Sequence, residues 1–390
     1  MNRITNINFW ILFPAIVFVF FLMPLVAVLS SLFGEYSDNW NHLYNFVLFD
    51  YLKNSAVLVF GVSVLTLIIG TGTAWLVSNF NFFGKRFFEW ALILPLSIPP
   101  YILAYTFTGL FDSYGTLNNL VRNIFELEQS YIFFPNIRNL WGAILVFSFT
   151  LYPYIYLVAR SAFLNQSRST LESGRILGLN RFEISFKLAM PMIRPAIIGG
   201  LMLVIMETLS DFGAVEHFAI PTFTTGIFRT WYGMGDLLTA MQLSSFLLIL
   251  VAIFLFIENK SRRNAGFVSD SSTHSPIQIE RLNSRYSALA FVFCSIPLLV
   301  GFILPTSELM IWAIYYNPSF FDDRFLDAAL NTITLAVVAA VLCSMTALLI
   351  NFSVRINKNK ILRLLSSFLS IGYALPGLIL AVGIVQTTTF

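Results

Sequence analysis

Charge is scarce in this 390-residue sequence: Asp, Glu, Lys and Arg together make up 11% of it. A soluble domain of this size needs far more polar surface to keep its exterior hydrated. Cysteine is nearly absent, with Cys294 and Cys343 lying in apolar runs at no metal-ligand spacing. That excludes a disulfide framework, and both residues read as small buried hydrophobes. No GxxxxGK[ST] stretch occurs, so the chain offers no phosphate-cradling loop for ATP; HExxH and GxSxG are missing too. No catalytic residue and no metal site is therefore assigned, and an integral-membrane enzyme is poorly supported. A net charge of only +3 leaves no footprint for nucleic acid. His42 and His274 are isolated and receive no role.

What the sequence has is apolar surface. Hydrophobic residues make up 57%, Phe alone contributes 41, and the mean hydropathy is +0.77. Runs of about 20 apolar residues cross a hydrocarbon core about 30 Å thick. Nine such segments lie near 9–33, 54–78, 88–111, 140–163, 195–213, 237–257, 287–315, 328–352 and 362–386. All are expected to be helices, because a lipid-exposed backbone must satisfy its own hydrogen bonds. The first run resembles a signal peptide but is long and lacks a small-x-small cleavage site, so it reads as an uncleaved span.

Basic residues orient the spans. With the N-terminus inside, the inner segments hold 18 of the 23 Lys and Arg, leaving Lys53, Arg122, Arg138, Arg229 and Arg324 outside. The asymmetry is decided by the last three inner segments and makes the N-terminus cytoplasmic.

An internal repeat organises the chain. "FVFFLMPLV" at 18–26 matches "FVFCSIPLL" at 291–299, and "LKNSAVL" at 52–58 recurs loosely as "ALNTITL" at 329–335. "SIPPYILAYTF" at 97–107 echoes "YALPGLILAVG" at 373–383, with Pro100 over Pro376. The expected units are residues 1–258 with six spans, a cytoplasmic linker at 259–286, and residues 287–390 with three spans. The linker is polar, Ser-rich and basic, and reads as flexible. On this repeat the second unit lacks three spans, and the chain looks truncated.

One charged segment interrupts the apolar pattern. Residues 167–191 have the makings of a short helix–turn–helix on the inner surface. Ser169 or Thr170 can cap its start, with Glu172 in the first turn. Gly178 breaks the run, Asn180 can cap a second helix from Arg181, and Pro191 and Pro195 are expected to end it before the next span. An amphipathic helix resting on lipid headgroups would use the same residues. The alternative is a docking knob for a cytoplasmic partner.

Glu172-Ser173-Gly174, then Gly178 six residues after the Glu, then Leu188-Ala189-Met190-Pro191, resembles the EAA-loop signature of ABC importer permeases. That signature reads Glu-Ala-Ala, three residues, Gly, nine residues, Ile-x-Leu-Pro; here Ser173 and Gly174 replace the alanines, and Leu188 and Met190 replace Ile and Leu. The fused two-half arrangement and "ETLSDFGAVEHFAIPTFTTGIFRTWYGMGD" at 207–236 look most like the ferric-iron type. The resemblance implies an all-α, type I ABC importer permease-like bundle, about nine spans of an expected twelve, in a bacterial inner membrane. It implies two cytoplasmic ATPase subunits that carry ATP and Mg, a periplasmic or lipid-anchored substrate-binding protein, and no cofactor on this chain. Glu172, Ser173, Gly174, Arg175, Gly178, Arg181 and Pro191 then belong to the ATPase-coupling loop.

Glu207 and Asp211 fall four apart at the outer end of the fifth span, with Glu216 and His217 close behind. Ionisable groups in a span are costly and often functional, and carboxylates suit a ferric ion. The preferred reading is that they cap or pair at the outer helix end, with the ion handled mainly by the binding protein. Residues 222–236 form a gate, a receptor for the binding protein anchored by Arg229, or a packed re-entrant loop. A permease for thiamine or phosphonate, an ion-gradient carrier using Glu207 and Asp211, and a non-transporting scaffold are the competing functions.

Overall fold

The computed structural model describes residues 9–166, 174, 176–263, 280–316, 323–357, 359–369, 372 and 375–388. Nearly all of them are helical, as apolar chains without water around their backbone must be. The first unit begins with α1 (Phe9–Ser30) and α2 (Leu48–Asn79), followed by α3 (Lys85–Ala91), α4 (Pro100–Phe111), α5 (Thr116–Phe125) and α6 (Leu140–Leu164). It closes with α7 (Met190–Ser210), α8 (Gly213–His217), α9 (Phe223–Phe228) and α10 (Leu237–Arg263). The second unit has α11 (Ser284–Leu298) running through a π-helical turn into α12 (Leu304–Tyr316), then α13 (Asp323–Asn357), α14 (Lys360–Leu369) and α15 (Gly377–Thr388). Its order of elements repeats that of α1 to α4.

Among the described residues, seven helices are long and apolar enough to cross a membrane, or eight if one bent pair counts as a span, rather than nine. The expected third span is broken: Lys85–Ser97 and Pro100–Phe125 meet at 90°. Consecutive prolines explain the break, since each pushes the residue before it out of the helical region. Ile98 and Pro99 are accordingly extended. The expected ninth span is likewise split, into α14 and α15, with Pro376 immediately before the second piece.

Three further expectations need correction. Pro191 and Pro195 end nothing: the backbone runs helically from Arg181 through a π-helical turn at Ser185–Ala189 into α7. The wider turn lies just where a proline ring would otherwise meet the preceding turn's carbonyl. Cys343 is exposed on α13, although Cys294 is buried. The linker is not loose at its far end, because β2 (Glu280–Arg281) pairs in parallel with β1 (Phe80–Asn81). Leu282 N also donates to Asn81 O at 3.1 Å and Phe83 N to Ser287 Oγ at 3.1 Å.

Each unit sends its opening helix across to the other. α1 lies against α13, α14 and α15, with Trp10 on Phe352 at 4.8 Å and Phe18 on Phe368 at 5.7 Å between ring centroids. The α11–α12 rod lies against α2, α3 and α4, with Phe291 on Phe88 at 5.4 Å and Trp312 on Tyr105 at 5.5 Å. Buried Glu308 accepts a hydrogen bond from Thr116 Oγ1 at 2.6 Å in the same seam.

α2, α6 and α7 pack closely against one another. A methyl group on Gly70 would lie 2.8 Å from both Ile155 Cβ and the Tyr152 carbonyl oxygen, so the backbones meet only because no side chain intervenes. Gly200 of α7 lies on the backbone of the same Ile155, where a Cβ would be 3.0 Å from its Cα. Gly70→Ala is expected to destabilise the protein by about 1–3 kcal/mol, as overpacking does. Gly233→Ala, which meets nothing within 4 Å, leaves the melting temperature in detergent unchanged.

Candidate functional site

The charged segment forms a corner at one end of the bundle. Leu179 N donates to Gly174 O at 3.1 Å, and Gly178 sits at φ +78°. This six-to-one bond over a left-handed residue is a Schellman closure, which stops a helix and satisfies one of its last carbonyls. Asn180 then starts the next helix with a reciprocal cap. Its Oδ1 accepts from Glu183 N at 2.9 Å while its own N–H donates to Glu183 Oε2 at 2.9 Å. Lys187 Nζ donates to Glu183 Oε1 at 2.8 Å. The bonds from Lys187 and Asn180 hold the Glu183 carboxyl below its usual range.

This corner is pinned to the bundle and bare at its tip. Gln166 Nε2, at the end of α6, donates to Ala189 O at 2.8 Å, and Phe186 packs on Trp75 of α2 at 6.2 Å. Gly174 is buried, and a Cβ there would come 2.7 Å from Leu188 and 3.1 Å from Ile184. Ile176 and Leu177 are 85% and 78% exposed, beside Gly178, whose Cβ position meets nothing within 4 Å. Pro191 is exposed in the first turn of α7. Of Arg181 only the backbone is described, opening Arg181–Ile184; Glu172, Ser173 and Arg175 lie outside the described residues. Sequence reasoning missed a neighbouring ion-pair cluster at this end, in which Glu89 faces Lys85 at 3.9 Å and Arg160 at 3.7 Å. Lys85 and Glu89 stand four apart on α3, a spacing visible in the sequence, whereas Arg160 is remote and no local pattern announces it.

The opposite end gathers the other candidates. Glu207 lies in the last turn of α7, and Asp211 directly follows it. Asp211 Oδ1 accepts from Ala214 N at 2.8 Å, and its backbone carbonyl accepts from Thr224 Oγ1 at 2.8 Å. Burial pushes the Asp211 carboxyl up to about 6, against the lowering effect of the Ala214 and Val215 amides. Glu216 forms an ion pair with Arg229 at 3.1 Å. Arg138 Nη2 donates to His217 O at 2.9 Å, and His217 Nε2 meets Thr108 Oγ1 at 2.9 Å. Burial first, and the Arg138 charge second, lower the His217 pKa.

Within 222–236 the first part folds inward, while Tyr232 to Gly235 are exposed. Thr222 and Thr225 form a capping box at the start of α9, whose residues Phe223 to Ile227 are buried. Asp236, which carried no expectation, ties this segment to the loop after α1. Its Oδ2 accepts from Ser37 Oγ at 2.7 Å, Asn39 Nδ2 at 2.9 Å and Thr239 Oγ1 at 2.6 Å. Burial alone would raise its carboxyl, but these donors hold it at about 2. Among the described residues, no three His, Cys, Asp or Glu side chains come together to hold a metal ion.

The raised Asp211 pKa has a definite sign in stability. Between the ordinary value of 3.8 and about 6 the folded chain holds a proton that the unfolded chain has released. This group's contribution therefore falls as pH rises through that window. Asp211→Asn, which keeps an acceptor for Ala214, is expected to gain melting temperature over the unaltered protein from about pH 4 to about pH 7, with no further gain above.

Residues 66–259 match the family model described as the binding-protein-dependent transport system inner membrane component. An Fe(3+)-transport system permease protein of Haemophilus influenzae is 26% identical over 338 residues, which cover 86% of this chain and 62% of that protein. A putative molybdenum transport system permease protein of Bacillus subtilis is 24% identical over 156 residues, 40% of this chain and 66% of the relative. A sulfate transport system permease protein of Salmonella typhimurium is 22% identical over 209 residues, 54% of this chain and 72% of the relative. The matched region begins within α2 and ends within α10, so it takes in both the capped corner and the carboxylates at the opposite end. This chain, a multi-pass inner-membrane protein, belongs to the binding-protein-dependent permeases of ABC transporters.

Proposed function

We propose that the chain is the transmembrane permease subunit of an ATP-driven importer, with ferric iron as its cargo. The corner at residues 174–190 carries this reading. A Schellman closure and a reciprocal cap expose Ile176 and Leu177, and the helix beyond them runs unbroken to Glu207. An exposed apolar tip on a rigid stem is a surface for a soluble partner. That partner is a cytoplasmic ATPase subunit carrying ATP and Mg, one of two in the assembled importer. The corner then faces the cytoplasm, as does the N-terminus, and a periplasmic or lipid-anchored binding protein delivers cargo to the outer end. The chain itself catalyses nothing.

Iron is favoured because the relative named for Fe(3+) transport aligns with 86% of the chain, against 40% and 54% for the molybdenum and sulfate relatives. Those two names, with Arg138 and Arg229 at the outer end, favour an oxyanion as the second reading. Cells expressing the chain with its partners are expected to accumulate radiolabelled ferric iron, and excess molybdate or sulfate is expected not to compete. Accumulation of either oxyanion in place of iron would assign the second reading.

Gly178 tests the docking itself. Gly178→Asn tolerates the left-handed turn and meets no atom of this chain within 4 Å of its Cβ. It is nevertheless expected to lower uptake strongly while the protein reaches the membrane in normal amounts, because the side chain stands where a partner's backbone approaches. Collapsing the proton gradient with ATP preserved leaves uptake intact. The reverse pattern, with uptake insensitive to Gly178 and lost with the gradient, would identify a gradient-driven carrier.

A further inference from the structure

The two units differ at their corresponding inner corners. In the first, Lys85 and Arg86 open α3, and Glu89 supplies a counter-charge within the chain, 3.9 Å from Lys85 and 3.7 Å from Arg160. In the second, Arg355 ends α13 while Lys360 and Arg363 lie on α14, all three exposed. From residue 328 to residue 390 the sequence has no Asp or Glu. Leu364, Leu365 and Ser366 stand where the repeat would place the partner of Glu89. Among the described residues, no carboxylate forms an ion pair with Arg355, Lys360 or Arg363.

The apolar groups around these cations say what kind of anion balances them. α14 is strongly two-sided: Leu362 is buried, and Phe368 packs on Phe18 of α1. The same apolar side carries Ile361 and Leu364, each 67% exposed, and Lys360 and Arg363 border it. Phe352 and Ile356 of α13 add exposed apolar surface beside Arg355. A short helix with cations beside an open apolar face lies in the bilayer interface, its side chains in the acyl region and its charges at headgroup level.

We propose that the α13–α14 corner binds the headgroups of anionic phospholipids through Arg355, Lys360 and Arg363, an anchor that the first unit replaces with Glu89. A phosphate group is the shared chemistry, and the source is the lipid, because free phosphate has no use for the apolar face. The proposal rests on the chain spanning a bilayer and not on what it transports, so its failure leaves the import reading untouched.

The test uses the full chain in nanodiscs made of phosphatidylcholine with a minor fraction of phosphatidylglycerol, and reads the lipid retained after detergent extraction by mass spectrometry. Phosphatidylglycerol is expected to be enriched over its share of the bilayer. Each neutralised cation near the surface is expected to cost about fivefold in headgroup affinity. The triple variant Arg355→Gln, Lys360→Gln, Arg363→Gln should therefore lose the enrichment, while Lys53→Gln with Arg324→Gln, at the opposite end, should keep it. The single variants Lys360→Gln and Arg363→Gln, both at exposed positions, give graded losses should the triple variant fail to fold. Millimolar inorganic phosphate is expected not to displace the lipid. Equal retention of the two lipids, enrichment that survives the substitutions, or displacement by free phosphate would each overturn the proposal; the first would point to an acidic protein as the true partner of these charges.

Discussion

The fold turns on Ile155. Two helices close on it, α2 at Gly70, where a methyl group would collide, and α7 at Gly200, where it would be tightly crowded. Lipid gives no hydrophobic gain for pushing apolar helices together, so in a membrane this kind of close, small-residue packing holds a bundle. Fixing α7 at Gly200 has a mechanical result. With a rise of about 1.5 Å per residue, the Arg181 end of the continuous helix lies about 28 Å from that point and the Ser210 end about 15 Å from it. A displacement of the capped corner is then carried along one stiff element past a fixed crossing, to the place where Asp211 and Glu207 stand.

Much of this was legible in the residues. Apolar runs gave the long helices, and the matched "FVFFLMPLV" and "FVFCSIPLL" segments turned out to belong to two opening helices with equivalent, reciprocal roles. Gly178 and Asn180 behave as their local chemistry dictates, since a left-handed turn and a helix cap depend only on near neighbours. The failures have a common cause in geometry that no short window contains. A proline signals a disrupted hydrogen bond but not its cost: Pro99 with Pro100 turns the chain by 90°, while Pro191 is absorbed by a single π-helical turn. Glu308 sits as a lone carboxylate in an apolar run, a signal that was present and overlooked, but its partner Thr116 is remote in sequence.

The exchange of opening helices also shows what distinguishes the units. α2 is covered by α6 and α7, and its buried face carries Leu58, Val62, Thr66, Gly70 and Ala74. Its counterpart α13 buries only Ile350 and Ser353, the latter beside Trp10 of α1. The exposed Cys343 lies on this less covered helix.

The two-residue pairing of Phe80–Asn81 with Glu280–Arg281 is the smallest sheet a protein can have, and its weight is kinetic rather than energetic. It fixes the entry of α11 beside the turn between α2 and α3, so the second unit's opening rod begins its search for a partner already at the right address. Because both units belong to one polypeptide, the concentration at which they meet is set by the chain that joins them rather than by the abundance of the protein in the membrane.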